Sequence, residues 1–186
     1  MNIHQLGITF DPMEDRLLLR INTSDREELE VWLTRRIALR WAPQLSQFIA
    51  ERLTSKADVQ TALLNRHDQQ MYADLKLHEQ WGKSDFNTPF QRGDKKILPH
   101  GPLLLTDLQM TQQTDGLTLL RMQEREREHG SGRALEIRLN VELMSGLLRM
   151  LQEALPGTGW SDLPSSQDMP ALGLDAQPNP PGHLLN

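Results

Sequence analysis

The sequence predicts an α+β fold: two strand-strand-strand-helix repeats packed as one domain, with an additional central helix and a disordered C-terminal tail. Three observations predict it. Leu29, Val31 and Leu33 alternate with Glu28, Glu30 and Trp32, and Leu135, Ile137 and Leu139 alternate with Glu136 and Arg138; that period of two marks strands with one buried face. Each run ends at a residue suited to cap a helix, Thr34 or Asn140, and apolar residues at helical spacing follow. Prolines and glycines crowd the last thirty or so residues, where Pro156, Pro164, Pro170, Pro178, Pro180 and Pro181 deny regular structure.

Taken in order, Ile3 to Phe10 is apolar enough for a first strand, and Asp11-Pro12 turns the chain. Arg16 to Thr23 reads as a second strand, Ser24 to Glu27 as a hairpin loop, and Leu29 to Leu33 as a third strand. Ile37, Trp41, Leu45, Phe48 and Leu53 then trace an amphipathic helix, with Pro43 predicting a kink or break near Trp41–Ala42. A second helix is expected from Asp58 to Trp81, with Val59, Leu63, Met71, Leu75 and His78 on one face. Gly82 to Gly101 is a long loop, and that length in a compact domain points to mobility or function.

The opening pattern then recurs. Leu103–Met110 and Leu117–Gln123 read as strands around a Thr114-Asp115-Gly116 turn, and a charged connection from Glu124 to Gly132 leads to the Leu135–Leu139 strand. A helix from Val141 to about Leu155 closes the second unit. Set in register, Ile37 falls on Leu143, Trp41 on Leu147 and Leu45 on Leu151, while Leu39 against Ser145 is a poor match. A single domain over 1–155 is therefore expected, with repeat one at 1–55, the central helix and loop at 56–101 and repeat two at 102–155, followed by a tail at 156–186. One helix covers a three-stranded meander poorly, so the halves should pack together or pair across a homodimer.

Composition narrows the chemistry. The chain of 186 residues has no cysteine, which excludes disulfides, a thiol nucleophile and thiolate metal sites. No apolar run reaches membrane-spanning length and no basic-then-apolar leader opens the chain, so a cytoplasmic protein without membrane attachment is the expectation. Net charge is −5. From Pro156 onward only Asp162, Asp168 and Asp175 are charged, so the rest is close to neutral. Within Thr34–Leu53, Arg35, Arg36, Arg40 and Arg52 stand against Glu51 alone and make a local basic stripe.

No Gly-x-Ser-x-Gly, His-Glu-x-x-His or glycine-rich phosphate loop is present. His67 and His78 are eleven residues apart on one helix, about 16 Å at 1.5 Å per residue, too far to share an ion. Asp74 and His78 lie one turn apart without a third ligand. No metal and no cofactor is expected, and no catalytic residues are assigned; were an active site assembled from dispersed residues, Asp74, His78 and Arg92 would be the first suspects. Arg92-Gly93-Asp94 matches an adhesion tripeptide by coincidence.

The stretch from Asp15 to Asp25, followed by Leu29 to Arg36, resembles small uncharacterised proteins of proteobacteria, which implies a bacterial source and no activity. The repeated meander-plus-helix unit is similar in outline to the Whirly and Pur-type single-stranded nucleic-acid binders, which have four strands per unit where three are counted here. Those families present basic and aromatic residues on an open sheet face; Trp32, Arg16, Arg20 and Arg138 are the corresponding candidates. The leading expectation is a non-enzymatic adaptor or assembly factor. It would bind another protein through sheet edges, through the Arg35, Arg36 and Arg40 face, or through the tail's apolar island at Leu172 and Leu174. A single-stranded nucleic-acid-binding module working through Trp32, Arg16, Arg20, Arg35, Arg36 and Arg138 is the alternative.

Overall fold

The computed structural model describes residues 3–55, 66–83, 85–86, 88–125 and 132–160. Strands β1 (Ile3–Asp11), β2 (Arg16–Thr23) and β3 (Glu27–Thr34) form an antiparallel meander that runs straight into helix α1 (Arg35–Ser55). Helix α2 (Arg66–Lys83) and two short strands, β4 (Lys95–Lys96) and β5 (Leu103–Leu105), follow. A second meander, β6 (Asp107–Gln112), β7 (Thr118–Gln123) and β8 (Ala134–Leu139), leads into α3 (Val141–Ala154) and a short 3-10 turn at Pro156–Thr158. The fold is α+β, as the alternation and capping patterns predict.

The two meanders are copies in register. In the first, Ile21, Leu19 and Leu17 stand opposite Leu29, Val31 and Leu33. In the second, Met122, Leu120 and Thr118 stand opposite Leu135, Ile137 and Leu139. Leu6 and Ile8 on β1 match Leu108 and Met110 on β6. The helices correspond as well: Ala38, Trp41, Ala42 and Leu45 are buried on α1, and Met144, Leu147, Leu148 and Leu151 are buried at the same steps after the cap on α3. Both caps form. The Thr34 hydroxyl accepts from the Ile37 N–H at 3.4 Å, and Asn140 Oδ1 accepts from the Leu143 N–H at 2.8 Å.

One apolar cluster holds both units, because each unit's helix reaches the other's strands. Arg52 near the end of α1 is 3% exposed and donates to the Thr118 hydroxyl of β7 at 2.7 Å. At the end of α3, Trp160 packs edge-on against Phe10 of β1 at 5.7 Å and donates its indole N–H to Asp15 at 2.7 Å. The strands are joined too. Residues 103–112 form one run that pairs parallel with β3 as β5, then antiparallel with β7 as β6. Thr106 marks the switch: its N–H and hydroxyl both donate to the Gln123 carbonyl at 2.9 Å.

Several expectations are corrected. Of the kink or break expected near Trp41–Ala42, the break does not occur: α1 runs on through Pro43, and the carbonyl that its missing N–H leaves free belongs to Leu39, a residue 40% exposed. The face of α2 is turned: Ala73 and Leu77 are buried, while Met71 and Leu75 are each 59% exposed. The helical pattern held two apolar stripes, and the smaller alanine side chain allows the closer approach to α1. The tail does not begin at 156, since burial of the Trp160 indole holds Pro156–Trp160 against β1, with Gly159 at φ 66 making the turn. Residues 161–186, with Leu172 and Leu174, lie outside the described residues, as do the expected start of α2 at Asp58 and most of the 124–132 connection.

The segment after α2 is a strap laid across the outward face of the first sheet. The Gln5 side chain accepts from the Gln91 N–H at 2.8 Å and donates to the Pro89 carbonyl at 3.0 Å. Asn22 donates to the Gln91 carbonyl at 2.8 Å, and Glu28 accepts from the Gly93 N–H at 2.8 Å. These contacts step from β1 across β2 to β3, and the strap then joins the sheet as β4 and β5. Gly93 is needed for this approach, since a Cβ there would stand 2.6 Å from the Arg26 carbonyl oxygen.

Candidate functional site

The outward face of the first sheet carries Leu18 and Arg20 on β2, Glu30 and Trp32 on β3, and Leu104 on β5. Trp32 is on this face, as its position in the alternation predicts, but it is half-buried between Leu18 and Leu104. The cations are neutralised in place. Arg20 lies 3.7 Å from Glu30, Lys96 lies 2.7 Å from the same carboxylate, and Lys95 lies 2.7 Å from Glu27. Arg16 pairs with Glu14 at 3.2 Å. Burial alone would push the Glu30 carboxyl up, but the hydrogen bond and charge of Lys96, aided by Arg20, hold it below the ordinary glutamate value. Lys95 is raised by its hydrogen bond to Glu27. The face that sequence alone suggests for nucleic acid is thus an internal ion-pair network with a strap across one end.

Arg138 lies at the place on β8 that Trp32 takes on β3, and it is exposed. Arg36 and Arg40 are exposed one turn apart on α1, with Leu39 between them 40% exposed, and Arg35 is half-exposed. None of these four arginines has an ion pair among the described residues. The structure therefore separates the predicted set: Arg16 and Arg20 are engaged within the chain, while Arg35, Arg36, Arg40 and Arg138 remain open.

A feature that periodicity assigned to the core stands open on α2. Met71 and Leu75 lie one turn apart on the outer side of α2, and α2 packs on α1 through Ala73. An open groove of about 680 Å³ runs between the two helices, lined by Pro43, Gln47, Ala50, Thr54, Gln69 and Ala73. It begins at Pro43, one turn from Leu39 and Arg40. The signal was present in the sequence as a second apolar stripe on α2, but spacing alone does not say which of two stripes is buried.

Of the dispersed polar suspects, Arg92 stands apart from His78. His78 stacks on Trp81 at 4.9 Å and lines a cavity with Arg149 and Glu153. Arg92 lines a different one with His4, Asn22 and Arg26. Asp74 is exposed on α2. Arg149 is itself held by Glu153 at 2.7 Å and by the Phe86 ring at 4.1 Å. Among the described residues no three His, Asp or Glu side chains gather as metal ligands, and no helix is long and apolar enough to cross a membrane. No family model, curated protein or solved structure matches the chain.

Proposed function

We propose that the chain is a non-enzymatic protein-binding adaptor or assembly factor acting in the bacterial cytosol, and that the α1–α2 face docks its partner. The observation that carries this reading is the exposure of Met71 and Leu75, 59% each, on a helix whose opposite side is already buried in the core. Two apolar side chains one turn apart on an open helix face fit the apolar side of an amphipathic partner helix, and unpaired Arg36 and Arg40 on α1 offer a separate site for an acidic segment. The paired cations of the first sheet give a single-stranded nucleic acid little to hold there.

A photo-crosslinking residue placed at Met71 in the native host tests the proposal, with the same residue at exposed Gln152 on α3 as control. One discrete adduct from position 71, absent from 152 and lost with Leu75→Asp, is the expected result. An adduct to a second copy of the chain would make the face a homodimer interface instead. No adduct from position 71 would remove the helix face from the account.

A further inference from the structure

The two units differ most at one edge. In the first, the outer edge of β3 is filled: Val31, Trp32 and Leu33 pair in parallel with Leu103, Leu104 and Leu105. The matching residues of the second unit are Ile137, Arg138 and Leu139, and among the described residues β8 pairs with β7 alone. Which backbone groups face outward follows from the ladder. The Glu124 N–H donates to the Arg133 carbonyl, so by antiparallel alternation Leu135, Ile137 and Leu139 turn their N–H and C=O groups toward β7. Glu136 and Arg138 turn theirs away. The sister strand obeys the same parity, since the Glu28 carbonyl accepts from the Ile97 N–H on its filled edge.

We infer that the open edge of β8 receives an added strand from a partner protein, running parallel to β8 and reading apolar–acidic–apolar opposite Ile137, Arg138 and Leu139. The filled sister edge supplies the template: its occupant is Leu-Leu-Leu, with the outer two side chains 0% and 1% exposed under the helices. The central position differs, because Trp32 faces Leu104 in the first unit while unpaired Arg138 stands exposed in the second. A carboxylate opposite Arg138 meets that charge across the strands. Where β8 ends, a groove of about 490 Å³ lined by Ile3, Leu6, Asn140, Leu143 and Gly146 takes the residue that follows. The inference rests on the protein-binding reading but uses a surface apart from the α1–α2 face, so either can fail alone.

The test uses the full chain and a fluorescein-labelled peptide of residues 101–107 carrying Leu104→Glu. Saturable anisotropy binding is expected, weakened about tenfold or more by Arg138→Glu and recovered by the matching peptide with Leu104→Lys. Arg138→Pro removes an N–H that only the added strand would use, so it should abolish binding while leaving β7–β8 paired. Should that variant fail to fold, amide exchange on the wild-type chain decides. Peptide should slow exchange at Glu136 and Arg138 and leave Ile137, already bonded to β7, unchanged. Absence of saturable binding, or binding indifferent to both Arg138 variants, overturns the inference. So does slow exchange at Glu136 and Arg138 in the free chain: if independent of concentration it would give the edge to a segment of this chain outside the described residues, and if it grows with concentration, to a second copy.

Discussion

Gly93→Ala probes the strap at its tightest point. A Cβ there meets the Arg26 carbonyl oxygen at 2.6 Å and the Glu28 backbone nitrogen and Cβ at 2.9 Å. Two of these three atoms are backbone, so no side-chain rotation relieves the clash and the strap must lift. Lifting breaks the Gly93 N–H to Glu28 bond and loosens its neighbours, the Asp94 N–H to the Arg26 carbonyl at 2.8 Å and the Ile97 N–H to the Glu28 carbonyl at 2.9 Å. Glu28 is 3% exposed, and hydrogen bonds to a buried charged group are worth about 1.5–3 kcal/mol. A loss of about 2–3 kcal/mol is therefore expected, or roughly 5–10 °C in melting temperature for a chain of this size. Urea titration followed by tryptophan fluorescence measures it. Gly82→Ala, with nothing within 4 Å and a place in the last turn of α2, is the control. It should be neutral or stabilising by up to about 1 kcal/mol. If Gly93→Ala falls within about 0.5 kcal/mol of the wild type, the strap does not lie where these contacts put it.

Other consequences can be checked on the same footing. Trp160→Ala removes an indole 4% exposed, its ring contact with Phe10 and its bond to Asp15, and should cost about 3–5 kcal/mol by denaturant titration; a loss under about 1 kcal/mol would detach Pro156–Trp160 from the fold. Thr118→Val keeps the shape but takes from the buried Arg52 its acceptor on β7, which should cost about 1–3 kcal/mol, and a neutral outcome would argue against this link between the units. The Glu30 carboxyl is held below its ordinary value of 4.5, so its ion pairs add stability above that pH and lose it as pH falls through the lower folded value. Glu30→Gln should flatten the acid limb of the stability curve below about pH 4.5 and lower stability at neutral pH; an unchanged limb would mean that Lys96 and Arg20 do not hold the carboxylate in solution.

Much of the fold was legible because the repeat is local. Strand alternation, a cap and a helical stripe follow one another within some fifty residues, and each is written in side-chain type. The caps at Thr34 and Asn140 and the turn at Asp11, whose carboxylate accepts from the Met13 and Glu14 N–H groups, needed no tertiary knowledge. What stayed hidden depended on distant partners. Nothing near Gly82–Gly101 says that it crosses three strands, because its contacts are backbone groups meeting Gln5, Asn22 and Glu28 from far upstream. Trp160 sat among prolines and glycines whose composition outvoted one indole. On α2 two stripes competed, and the choice was made by how closely Ala73 lets α1 approach.

The duplication also locates what is particular to this chain, since sister positions that agree need no explanation beyond the shared fold. Where they disagree, some of the differences meet a partner outside their own unit and others do not. Thr118 replaces the position of Leu17 and receives Arg52 from the first unit's helix. Ser145 sits where Leu39 would, and its carbonyl accepts the indole N–H of Trp81 at 2.8 Å, which seats α2 on α3; Leu39 itself is turned to solvent beside Arg36 and Arg40. Arg138 takes the place of Trp32, and the strand that would cover it is not paired there among the described residues. The first is satisfied within the chain and ties the copies together, and at the second α2 lies over α3 where Ser145 is fully buried. Leu39 and Arg138 have no such contact among the described residues, and they fall on α1 and on the β8 edge, where protein partners are proposed. A partner at either surface would give these two departures the kind of contact that Thr118 and Ser145 already have.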